Sequence, residues 1–173
     1  MTDMPALTQT MIATLEEVAT QHPVYRGCRI AAGEPASEAQ LVELEALLGA
    51  RLPPSYRAFL SLHDGMRFVD DYGEDYLFTI YTVAQLMAPA DDEEGPWDQP
   101  LFADGELERR NVLAIGRTYV TGIMYYLDRS APGVDGEWPA VKWHASGADD
   151  PLASFAELMR AEIADIRTLI PPA

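Results

Sequence analysis

The segment SEAQLVELEALLGARLPPSYRAFLSLHDG, from Ser37 to Gly65, decides the fold. Ser37 is a preferred N-cap, and Gln40 three residues later completes a capping box in which each residue satisfies a backbone N–H of the other. Leu41, Leu44, Leu47 and Leu48 then recur at helical spacing and predict a buried face. Gly49 stands where a helix closes on a left-handed residue. Leu52-Pro53-Pro54 restarts the chain, because proline suits a first helical turn, where its missing N–H would be unpaired anyway. A second helix is predicted from Pro54 to about Leu62, with Tyr56, Phe59, Leu60 and Leu62 available to the core, and Asp64-Gly65 ends it.

Toward the N-terminus, Met4, Leu7, Met11, Leu15 and Val18 recur at steps of three and four and predict a helix over about residues 5–21, stopped by Pro23. Val24 to Ile30 alternates weakly, as a short strand would, and Ala31 to Pro35 is a turn-rich link. Toward the C-terminus the period changes to two. Tyr76, Phe78 and Ile80 alternate with Leu77, Thr79 and Tyr81, nearly all strand formers. Thr82 to Met87 reads as a turn or two of helix. Residues 88–105, with three prolines and the run Asp91, Asp92, Glu93 and Glu94, read as a mobile acidic loop between core strands. Asn111 to Arg117 and Gly122 to Asp128 are two predicted strands in antiparallel contact, and Pro139 to His144 is a third. A last helix carries Leu152, Phe155, Leu158, Met159, Ile163, Ile166 and Ile170 on one stripe, capped by Asp150-Pro151 or by Ser154 with Glu157. Helices, strands and a helix in that order predict an α+β fold, a single domain spanning 1–173 with a twisted, mainly antiparallel sheet flanked by helices.

The Ser37–Gly65 segment resembles the signature of the SUKH (Smi-Knr) superfamily. The signature is a capped helix with Glu near its end, Gly, Leu-Pro, then Tyr and Phe on a second helix closing in a polar residue and Gly. Glu45, Gly49, Leu52, Pro53, Tyr56, Phe59 and Gly65 carry the likeness, and Asp64 stands where the family often has Asn. Looser likeness runs through Leu77–Leu86, Val112–Asp128 and the Ser154-Phe155 start of the last helix, so that 37–170 is family-like and the N-terminal helix lies outside it. The resemblance implies a mixed sheet flanked by helices. It also implies a role class: many bacterial members are immunity proteins that neutralise a toxin domain, often a nuclease, and others, including fungal members, are regulatory or scaffold proteins. No catalytic residues come with it, and the matched residues read as structural.

Composition narrows the function. Twelve basic against twenty-eight acidic residues leave a net charge of −16, with Lys142 the only lysine. Such a surface repels nucleic acid and anionic lipid and attracts a basic protein. Met1 to Glu17 lacks the basic and apolar regions of a secretory leader, and no stretch approaches the roughly 18 apolar residues of a membrane span. With Cys28 as the single cysteine, no internal disulfide forms, and the expected compartment is the cytoplasm.

Motifs for chemistry are missing. His22, His63 and His144 have no metal-ligand spacing, Cys28 sits in no nucleophile signature, and neither a Walker loop nor G-x-S-x-G nor G-x-G-x-x-G occurs. His63 reads as a helix-end residue facing terminal carbonyls. No metal, cofactor or catalytic residue is expected. The sharper feature is carboxylates beside aromatics. Asp70, Asp71, Glu74 and Asp75 flank Tyr72 and Tyr76, and Asp91, Asp92, Glu93 and Glu94 precede Trp97. That pattern suits docking of a basic protein, with aromatic anchors for area and charges for steering. The expected function is a non-catalytic binding module that neutralises a cognate toxin domain. The alternatives are a regulatory or scaffold protein and an uncharacterised hydrolase, the last requiring a metal or a deep polar pocket around His63 or His144.

Overall fold

The computed structural model describes residues 2–88 and 111–171. Along them the chain forms α1 (Met4–Gln21), β1 (Arg29–Ala32), α2 (Glu38–Leu48), α3 (Pro54–Leu60), β2 (Met66–Val69), β3 (Asp75–Ile80), α4 (Val83–Leu86), β4 (Val112–Arg117), β5 (Met124–Asp128), β6 (Ala140–His144), β7 (Gly147–Ala148) and α5 (Phe155–Arg167). The seven strands make one sheet in sequence order, each pair of neighbours antiparallel. The expected α+β fold is therefore observed, with a sheet that is antiparallel throughout the described strands.

Side chains alternate across the sheet. Met66, Phe68, Phe78, Ile80, Leu113, Ile115, Tyr125, Leu127 and Ala140 enter the main core with Met11 and Leu15 of α1, Tyr56 and Phe59 of α3, and Phe155 and Met159 of α5. Aromatic rings meet at steep angles at its centre, with Phe155 5.0 Å from Tyr56 and 5.2 Å from Phe59 between centroids. Val112, Ala114, Met124, Tyr126 and Trp143 form a second buried cluster, on the strand positions that alternate with the core positions. Where β4 meets β3, Gly116 is required: a Cβ there would lie 2.0 Å from the Thr79 carbonyl oxygen.

The 37–65 segment folds through its own polar groups. Ser37 and Gln40 make both halves of the capping box, and Gly49 is left-handed at φ 66°. Glu45 ties the end of α2 to the linker and to α3, because its Oε1 accepts from the Leu52 N–H and from Arg57 Nε, both at 3.1 Å. Pro53 cannot cap α3 with a side chain. Glu137, 82 residues away, does so instead, accepting from the Ser55 N–H at 2.9 Å and the Ser55 hydroxyl at 2.7 Å. Asp64 Oδ1 accepts from the Val83 N–H at 2.6 Å, which adds to the Thr82–Gln85 capping box at the start of α4.

Several boundaries differ from expectation. Residues 24–28 are not a strand. Turn hydrogen bonds from Tyr25 N to His22 O and from Cys28 N to Tyr25 O, with Gly27 at φ 92°, coil them, and β1 starts only at Arg29. Cys28 accordingly precedes the strand and is half-buried. Leu47 is 62% exposed. At about 100° per residue it falls well off the arc shared by Leu41, Leu44 and Leu48. α3 ends at Leu60, short of Leu62. Ser154, with Glu157, caps α5; Leu152 belongs to a bridge with Ala140 at the sheet, and Ile170 lies beyond the last helical turn. His63 bonds across to the Gly33 carbonyl at 3.2 Å, not to its own helix end. The strands β2 and β7, four and two residues long, are too short to show a period in sequence.

Candidate functional site

Antiparallel strands joined in sequence order send alternate connections to opposite ends of the sheet. The pairs Arg29↔Val69, Thr79↔Arg117 and Met124↔Trp143 place the entry to β1, the β2–β3 turn, the β4–β5 turn and the β6–β7 turn at one end. The acidic segment 70–75 is the second of these four connections.

Its geometry separates the expected site residues. Asp70 builds the turn: its Oδ1 accepts from the backbone N–H of Tyr72 and of Glu74, both at 2.9 Å. Asp75 is taken up by Arg67, whose Nε lies 2.6 Å from Oδ1, while the same guanidinium donates to the Gly73 carbonyl at 3.0 Å. Tyr76 is not a free anchor. It is half-buried, with its ring edge-on to Tyr25 at 5.6 Å. What projects is Tyr72, 91% exposed, between the exposed carboxylates Asp71 and Glu74. The side chains of Asp70 and Arg67 brace the turn that carries Tyr72. Asp91, Asp92, Glu93, Glu94 and Trp97 lie outside the described residues, as does nearly all of the expected acidic loop 88–105.

Nothing among the described residues assembles a reactive group. Burial, then the charges of Asp70 and Asp71, push the Cys28 thiol up, which disfavours the thiolate that a nucleophile needs. His144 Nε2 pairs with Asp149 at 3.0 Å on the surface. No group of three or more His, Cys, Asp or Glu among the described residues is arranged to hold a metal ion. A cleft of about 620 Å³ between α2 and α3 is lined by Glu38, Glu45, Arg51 and Arg57, and Arg57 pairs with Glu38 at 2.5 Å and with Glu45 at 3.1 Å. The family-motif residues are placed as structural ones: Leu52, Pro53, Tyr56 and Phe59 are buried, and Gly49 and Gly65 carry positive φ.

Residues that sequence reasoning passed over lie in the β4–β5 turn. Tyr119 and Val120 are 53% and 56% exposed. The signal was legible: two large apolar residues fall in a link between strands, where polar residues are usual.

A seven-stranded antiparallel sheet packed against capped helices, with aromatics borne on turns at one end, defines a single-sheet α+β domain. The chain belongs to the SMI1 / KNR4 family (SUKH-1), whose family model matches residues 35–160. No curated protein matches the chain. The matched range begins after α1 and β1, in keeping with a resemblance that starts at the capped helix.

Proposed function

We propose that the chain is a non-catalytic protein-binding module of the immunity type, which occludes a basic toxin domain by stoichiometric contact at the β2–β3 turn. Tyr72 is the observation that carries this reading. A ring exposed over nine-tenths of its surface, on a turn braced by Asp70 and Arg67, has no role in the fold itself. Large exposed aromatics of this kind supply interface anchors. The net charge of −16 selects for a basic partner through its long-range field. Family membership agrees with this role class. No described helix is long and apolar enough to cross a membrane, and one cysteine suits a reducing compartment, so the proposed site of action is the cytoplasm.

The test is a titration. The protein captured from the native cell with the tagged chain is purified and assayed for its own activity against increasing amounts of the chain. The reading expects activity to fall linearly and to vanish at one equivalent. Neutralisation by a small fraction of an equivalent would show turnover and overturn the non-catalytic reading. Tight binding with activity intact would replace the immunity role by the regulatory or scaffold one.

A further inference from the structure

We infer that the binding surface is composite, with Tyr119 and Val120 of the β4–β5 turn joining Tyr72 in one apolar contact for a basic protein; this rests on the function proposed above. Six large apolar side chains among the described residues are strongly exposed, and four of them, Val24, Tyr72, Tyr119 and Val120, are at the same end of the sheet. The other two, Val42 and Leu47, are on α2.

Tyr76 draws the three segments together. Its carbonyl accepts from the N–H groups of Tyr119 at 3.1 Å and Val120 at 3.3 Å, which fastens the β4–β5 turn beside the acidic turn. Its ring meets Tyr25, the residue after Val24. Tyr119 is also held in place, since the Arg117 guanidinium lies 4.4 Å over its ring. The turn is closed from within by the Thr118 and Thr121 hydroxyls, and the Ile123 N–H donates to Thr118 Oγ1 at 3.3 Å. Both tyrosines are thus presented on braced backbone, as anchors need to be.

Local charge does not select the partner. Arg26, Arg29, Arg67 and Arg117 on and beside these turns balance Asp70, Asp71, Glu74 and Asp75. The selecting field is that of the whole chain, −16, which attracts a basic protein and opposes a second copy of itself. The partner that fits is basic overall and hollow where the tyrosines enter. Its own cations meet Asp71 and Glu74 at the edge, where pairs are solvated and add mainly to the association rate.

The test places p-benzoylphenylalanine at 72, 119 and, on α2, 47 in the full chain in its native cell, and identifies light-dependent adducts by mass. The captured protein is then purified, and its affinity is measured for Tyr72→Ala, Tyr119→Ala, Val120→Ser and Leu47→Ser, each checked by circular dichroism. The inference expects the same basic protein at 72 and 119. It also expects a loss of about tenfold or more for Tyr119→Ala or Val120→Ser, and no change for Leu47→Ser. A loss with Tyr72→Ala but none with Tyr119→Ala or Val120→Ser would overturn the composite surface and leave the proposed function standing. Adducts at 119 with an acidic protein or with a second copy would overturn the partner chemistry. Adducts at 47 alone would overturn both.

Discussion

Glu45 shows how much one side chain does in this fold. It is largely buried and satisfies a backbone N–H that follows a left-handed glycine, and it also pairs with Arg57. Glu45→Ala should cost about 1–3 kcal/mol, the usual consequence of stranding a buried donor. Glu45→Gln, which keeps one acceptor oxygen, should cost less. Urea midpoints check both, and an alanine variant as stable as the parent would remove Glu45 from the linkage. Tyr56 makes the opposite case. Its hydroxyl is fully buried and has no hydrogen-bond partner among the described residues. Tyr56→Phe should therefore be neutral or stabilising by about 1 kcal/mol. A clear loss of stability in the same urea experiment would reveal a partner for that hydroxyl. The sequence marked both residues as motif positions, and marked them as structural. It did not reveal that one is a backbone cap and the other a donor without a partner among the described residues, because those roles depend on where Leu52 and the core rings come to rest.

At the scale of elements, strand pairing and helix ends respond differently to the same substitution. Gly116→Ala would drive a Cβ to 2.0 Å from the Thr79 carbonyl oxygen, at a β3–β4 junction paired through only two residues of each strand. The loss should exceed about 4 kcal/mol, the range reserved for severe core damage. Gly49→Ala meets no atom within 4 Å, so only the left-handed backbone resists it, at about 1–2 kcal/mol. Thermal melts of the two variants should separate widely; equal losses would contradict the close approach at Gly116. The caps of α2 and α5 were legible in sequence because Ser37 with Gln40 and Ser154 with Glu157 are local signals; Asp3 at α1 and Thr82 with Gln85 at α4 are local caps as well. The cap of α3 was not, since Glu137 lies 82 positions beyond Ser55 in the chain. Residues 24–28 alternate weakly as a strand would, but their backbone is coiled by turn hydrogen bonds that pattern alone does not reveal.

For the whole molecule, folding raises several groups that titrate in the alkaline range. Burial raises Tyr25, Tyr56, Tyr81, Tyr125 and Tyr126, with Glu162 adding to the effect at Tyr125. Burial alone would lower Lys142, but its hydrogen bonds to Asp165 and Glu162 outweigh that and raise it. Each of these groups keeps its proton to higher pH in the folded chain than in the unfolded one. Their contribution is therefore complete below about pH 10, the ordinary tyrosine range, and is lost as pH rises from there through the folded values. The melting temperature should fall once pH passes about 10, and Tyr56→Phe should fall less steeply than the parent. A melting temperature that climbs through that range would contradict the burial assigned to these rings. Fold and charge were legible in the sequence at this scale, but the shape of the surface was not. Of the aromatics flagged beside carboxylates, Tyr72 projects and Tyr76 is packed, a distinction set by the Tyr25 ring lying against one and not the other. Whether this surface holds a protein partner through an exposed anchor is decided by the dissociation rate of the complex formed with Tyr72→Ala. That rate should be about thirtyfold faster or more than the parent's, equivalent to at least about 2 kcal/mol, with the melting temperature of the free chain unchanged; a rate equal to the parent's would rule out Tyr72 as the anchor.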